Sequence, residues 1–107
     1  MNTAIISTTG NASTVVITGV VGKRIRVLAY TFNSSTAAEA QWFSATTALS
    51  GKMHTGANGN IAIHLGDNWP SGGLPVLQTI AGEDLILTTT NTAGVIGGHL
   101  TYVMVAV

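Results

Sequence analysis

The sequence predicts an all-β chain folded as a single-domain antiparallel β-sandwich, jelly-roll-like in character. Three observations carry this. Charged residues are only 7% of the chain, against roughly 25% in a typical soluble domain. The polar complement is instead Thr, Ser, Asn and Gly, which favour strands and turns over helices. Short segments rich in Val, Ile, Thr and aromatics recur along the chain with Gly or Asn signals between them, the pattern of a sandwich or jelly roll. The chain closes on two long β-prone stretches, Gly82–Thr92 and Val95–Val107, joined by a turn at Asn91–Gly94. A length of 107 residues suits one domain with one modest core, residues 1–107. At 46% hydrophobic the composition is not that of a disordered chain.

The last stretch poses a packing problem. Strand side chains alternate, so His99, Thr101, Val103, Val105 and Val107 share one face, and Leu100, Tyr102, Met104 and Ala106 the other. From Tyr102 onward both faces are apolar. One can serve the domain's own core; the other asks for a second cover, a sheet or a subunit. The apolar end at Val107 is expected to be docked.

Taken from the N-terminus, Thr3–Ser7 is a short β-prone segment and Thr8–Asn11 breaks it. Ser13–Thr18, with Val15, Val16 and Ile17, is the first convincing strand, and Gly19–Gly22 is a turn. Lys23–Asn33 is a long strand. Ile25, Val27, Ala29 and Thr31 lie on one face; Arg24, Arg26, Leu28, Tyr30 and Phe32 lie on the other. Its second half is apolar on both faces, which suits a central position.

Thr36-Ala37-Ala38-Glu39 matches a helix capping box, and alanine favours helix. A strand over Glu39–Ser44 competes, with Ala40, Trp42 and Ser44 on one face. It is the preferred reading, because the segment is short and flanked by β chemistry. Ala45–Gly51 is a loop and Lys52–Thr55 a short strand. Asn58-Gly59 supplies residues for a tight hairpin turn, after which Asn60–Leu65 alternates with Ile61, Ile63 and Leu65 inward. Gly66–Pro75 is the longest irregular stretch and carries both prolines and Trp69. Val76–Ile80 is a further short strand, followed by a turn at Ala81-Gly82. No internal repeat or interdomain linker is visible.

Composition also excludes. Formal net charge is zero, so there is no electrostatic case for nucleic acid or an anionic membrane. There is no cysteine, hence no disulfide framework and no cysteine zinc site. No apolar run approaches the roughly 18 residues of a membrane helix. The opening "MNTAIISTTGN" lacks a basic region and a long apolar run, so no signal peptide is expected. Asn11-Ala12-Ser13 and Asn33-Ser34-Ser35 match the glycosylation acceptor pattern and are read as chance. So few surface charges favour self-association.

Candidate chemistry is sparse. His54, His64 and His99 are too scattered for metal-ligand spacing, and hydrogen-bonded or surface roles are the default. Glu39, Asp67, Glu83 and Asp84 are the only carboxylates. A paired-carboxylate hydrolase needs two of them across a cleft, yet adjacent Glu83 and Asp84 would point to opposite faces of a strand. Lys23, Arg24 and Arg26 are the only basic cluster. They read as a solvated strand end or a salt bridge to a partner protein, without the interleaved aromatics of a nucleic-acid surface. Trp69 reads either as an interface anchor or as a plug at the open end of a sandwich. Gly97-Gly98 inside the last strand predicts a bulge or a close backbone approach.

Four stretches, taken in order, resemble a known family. They are "GKRIRVLAYTF" (Gly22–Phe32), "WFSATTALSG" (Trp42–Gly51), "NWP…TIAGEDLIL" (Asn68–Leu87) and "GGHLTY" (Gly97–Tyr102). The pattern is similar to that of small β-sandwich proteins encoded by tailed bacteriophages and prophages among their virion structural genes. It covers nearly the whole chain and departs at the Trp loop, with extra residues at Pro70–Leu77. The resemblance implies a virion component on the capsid surface. The role it implies is a trimeric capsid decoration (cement) protein that clamps junctions between major capsid proteins, without enzymatic activity, metal or cofactor. The alternative is a fibre or spike component that binds host-surface carbohydrate, for which Trp69 with Asp67 and Asn68 is the only suitable group. A small cupin-like enzyme stands third.

Two expectations about assembly follow. Met1–Thr9, carrying Ile5 and Ile6, is expected as an N-terminal arm that adds a strand to a neighbour's sheet, against an ordinary first strand. The doubly apolar strands are expected to build the oligomer, through Tyr30, Phe32, Tyr102 and Met104, with Trp69 as a further anchor.

Overall fold

The structure, a computed structural model, describes residues 2–64, 76–90 and 94–106. These form ten strands: β1 (Asn2–Thr9), β2 (Ala12–Ile17), β3 (Lys23–Ser34), β4 (Ala38–Ser44), β5 (Thr47–Ala48), β6 (Met53–Thr55), β7 (Asn60–His64), β8 (Leu77–Gln78), β9 (Leu85–Thr90) and β10 (Val95–Ala106). No helix occurs among the described residues. The capping-box segment is extended: with Ala38, Ala40, Trp42 and Ser44 all buried, β4 alternates with a period of two and needs the strand geometry to bury that row.

Two five-stranded antiparallel sheets form a sandwich. One runs β1-β10-β3-β7, with β8 also on β3; the other runs β2-β9-β4-β5, with β6 also on β4. The pairings β1 with β10, β2 with β9, β3 with β7 and β8, and β4 with β5 and β6 are nested. Rolling that ladder up places β3 beside β10 and β4 beside β9. This is a jelly roll, the arrangement the sequence predicts.

The roll corrects three expectations. First, β9 and β10 are not partners: β9 lies in one sheet and β10 in the other, and residues 91–93 of the expected turn lie outside the described residues. Second, Asn58 does take a positive φ of 59° and Gly59 N–H closes the turn onto Gly56 O. Yet β6 and β7 belong to different sheets, so this is a crossover and not a hairpin. Third, the N-terminal segment is no free arm. Every residue of β1 has a partner on β10, from Asn2 opposite Tyr102 to Thr9 opposite Val95. It alternates with Ile6 and Thr8 buried, because its own sheet offers an edge beside β10.

The doubly apolar half of β3 is accounted for by one residue. Along β3 the buried set is Ile25 and Val27, then Leu28, Tyr30, Phe32 and Ser34. The alternation changes phase at Leu28. Opposite, Thr101 faces Ala29 and Tyr102 faces Val27, so Leu28 is the extra residue of a β-bulge. Two apolar rows that a regular strand would send to opposite faces are thereby delivered to one interior. On β10 the core takes Ile96 and Leu100, with Tyr102 and Met104 packed against it. Val103 and Val105 face outward beside Arg26 and Arg24. Both valines are half-buried.

Trp42 sits at the centre of the core with none of its surface exposed. Its ring lies 5.3 Å from Tyr30 and 6.5 Å from Phe32, edge-on to both, a geometry that aromatic pairs prefer. The Tyr30 hydroxyl donates weakly to Met53 Sδ at 3.4 Å. Burial pushes its pKa above the usual 10.0; the Trp42 indole N–H, which lies near it without a formed hydrogen bond, offsets part of the rise.

Candidate interaction surfaces

The residues expected to form an interface fall in three places. Ile6, Tyr30 and Phe32 are buried in the core. They are not available to a partner, because the β1 pairing and the Leu28 bulge turn them inward. Tyr102 and Met104 are partly buried and pack on the same core. Ile5 alone stands outward, 78% exposed, on the outer face of the edge strand β1. Trp69, with Asp67, Asn68 and the inward row's Leu65, lies outside the described residues, as does Val107.

The titratable groups are mostly employed in holding loops. Glu83 and Asp84 precede β9 and point apart, as expected of neighbours. Ser44 Oγ donates to Glu83 Oε1 at 2.6 Å, and Gly19 N–H donates to Asp84 Oδ1 at 2.6 Å. Each acid pins a different segment to the β8–β9 turn. Glu39 on β4 faces Lys52 at 3.8 Å and His54 at 3.6 Å, loose exposed pairs of the kind that contribute little to stability. Of the basic cluster, Arg26 Nε donates to Gln78 Oε1 at 2.7 Å, fastening β8 to β3. Arg24 Nε is buried without a partner among the described residues. No three His, Cys, Asp or Glu residues converge to hold a metal among the described residues.

Two depressions are chemically distinct. A trough of about 430 Å³ is lined by Asn11, Ala37, Ala38, Glu39, His54, Thr55 and Thr90. It offers a carboxylate, an imidazole and hydroxyls to a polar group. A smaller one of about 170 Å³ lies on the other sheet, lined by Ala29, Tyr30, Thr31, Ala62, Ile63, His99 and Thr101. Apart from His99 its lining carries no titratable group but the Tyr30 phenol. Of the two adjacent glycines in β10, only Gly98 makes a close approach: a Cβ there would strike Thr31 O and the Phe32 backbone, whereas one on Gly97 meets open space.

One surface escaped sequence reasoning. Val21 is 94% exposed, Ile80 48% and Val20 43%, all at the end of the sandwich where the β2–β3 and β8–β9 turns meet. The available signal was two valines between Gly19 and Gly22, where a solvated turn would carry polar residues.

No protein-family model, curated protein or solved structure matches the chain.

Proposed function

We propose that the protein is a non-enzymatic structural component of a bacteriophage virion, a capsid decoration protein acting as a homotrimer on junctions of the major capsid protein. The observation that carries the reading is the surface. Val20, Val21, Ile80, Ile5, Val15 and Val95 are exposed aliphatics. Against them, formal charge amounts to four basic and four acidic residues in the whole chain. Aliphatic exposure with so little charge suits a chain that works against protein surfaces. The jelly roll is in keeping, being a fold of viral capsid as well as lectin domains, though a fold alone does not define a function. The four stretches quoted above add the virion context. The reading needs no metal, cofactor, nucleic acid or membrane.

Quantitative mass spectrometry of purified virions tests it. A copy number in the hundreds is expected of a decoration protein. A few to tens of copies would favour a fibre or spike role, and absence from virions would overturn both.

A further inference from the structure

We infer that the end of the sandwich formed by the β2–β3 and β8–β9 turns is a preorganised apolar docking tip, built to enter a cleft on a shell protein displayed in many copies. The inference rests on the virion reading above and names the part of the surface that makes the contact.

Local chemistry first. The two turns abut through backbone: Gly82 N–H donates to Lys23 O at 2.9 Å. A Cβ on Gly19 would lie 2.5 Å from Gly82 O and 2.6 Å from the Glu83 carbonyl carbon, so only glycine permits this approach. Each turn is closed on itself, by Lys23 N–H to Val20 O at 3.0 Å and Glu83 N–H to Ile80 O at 3.1 Å. Both acids of this end are turned inward, Asp84 onto Gly19 N–H and Glu83 onto the Ser44 hydroxyl. The same hydroxyl oxygen accepts Ile80 N–H at 2.9 Å. The acids are thus engaged in locking the turns, and the aliphatic side chains of Val20, Val21 and Ile80 stand exposed, with Thr18 and Lys23 exposed beside them.

Single exposed aliphatics are ordinary. Three on two mutually locked turns are a patch, and a locked patch loses little conformational freedom on binding. Its size selects the occupant. Three side chains expose a few hundred Å² at most, well short of the roughly 800 Å² per partner of a stable interface. A second copy bound tip to tip would not hold at micromolar concentration. A small rigid apolar knob instead fits a cleft on a larger protein. It is weak singly and becomes avid when several tips of one assembly engage a repetitive array.

The test uses heads of the phage that encodes the chain, prepared without it. These are mixed with purified full-length wild type, Val21→Asp and the Val21→Asp, Ile80→Asp double variant, then sedimented. Solution mass and melting curves are recorded in parallel. Val21 is nearly fully exposed, so its variant is expected to fold as wild type does. Wild type should sediment with the heads, and the double variant should lose affinity by at least about tenfold, equivalent to about 1.4 kcal/mol. Variants that bind as wild type does would overturn the tip and leave the virion reading standing. A wild type that fails to bind would remove both together. A drop in solution mass on Val21→Asp would overturn the inference in favour of a self-contact. Equal binding of wild type to anionic phospholipid vesicles would overturn it in favour of a membrane.

Discussion

Tyr102 lies opposite Val27 across the β10–β3 ladder, while its neighbour Thr101 lies opposite Ala29. Leu28 is skipped. That single offset lets β3 place Ile25 and Val27 in the same interior as Tyr30 and Phe32, and it leaves Arg24 and Arg26 outside. Deleting Leu28 should therefore leave the fold standing. The deletion restores strict alternation with Ile25, Val27, Tyr30 and Phe32 all on one face, so a cooperative thermal transition is expected. Leu28→Ala keeps the bulge and should cost about 2–5 kcal/mol in urea unfolding. A deletion variant without a cooperative transition would show that the bulge itself is needed for folding.

The adjacent glycines of β10 should respond oppositely to the same change. Gly98→Ala drives a methyl group into Thr31 O and the Phe32 backbone, and should cost about 3 kcal/mol, the upper range of overpacking, or more. Gly97→Ala enters open space and should stay within about 0.5 kcal/mol. Chemical denaturation of the pair checks this directly; equal losses would contradict the register drawn here.

Alkaline stability should report on Tyr30. Its pKa is raised above the usual 10.0 by burial, so the folded state holds this proton more tightly than the unfolded chain. The stabilisation is fully present below the unfolded pKa and is lost as pH rises from there through the folded pKa. Melting temperature should fall as pH climbs past about 10, and the fall should be smaller in Tyr30→Phe. Identical alkaline profiles would remove Tyr30 as the cause.

Ser44 links three segments, since its hydroxyl serves both Glu83 and Ile80. Ser44→Ala leaves those partners unmade and should cost about 1–3 kcal/mol. Glu83→Gln, which keeps an oxygen to accept the bond, should cost less. Hydrogen exchange at the Ile80 amide should quicken in Ser44→Ala and much less in Glu83→Gln.

Self-association should run through Ile5 and not through β10's inner face. If the proposed trimer forms at micromolar concentration, Ile5→Asp is expected to shift it to lower mass with little change in melting temperature, because the side chain is exposed. Tyr102→Asp should instead lower the melting temperature, because Tyr102 packs on the core. A trimer indifferent to Ile5→Asp would place the subunit contact elsewhere.

Much of the fold was legible without coordinates, because strand periodicity and turn chemistry are local. Ala40, Trp42 and Ser44 on one face of β4, the long central β3 and the absence of helix among the described residues all follow from neighbours within a few residues. The interface candidates were less legible. Tyr30 and Phe32 looked surplus only because strict alternation was assumed, and a bulge leaves no clear mark in the residues that form it.

What the residues determined by themselves was the class of fold, most strand positions and a surface nearly free of charge. What only the tertiary structure decided was which strands meet. Asn58-Gly59 and the Asn91–Gly94 stretch carry hairpin-like sequences, yet β6 and β7, and β9 and β10, separate into different sheets. A turn fixes only the local reversal of the chain. Which sheet each strand then joins depends on pairing across long separations, such as Asn2 with Tyr102, and those contacts form only where the whole roll can bury both apolar faces at once.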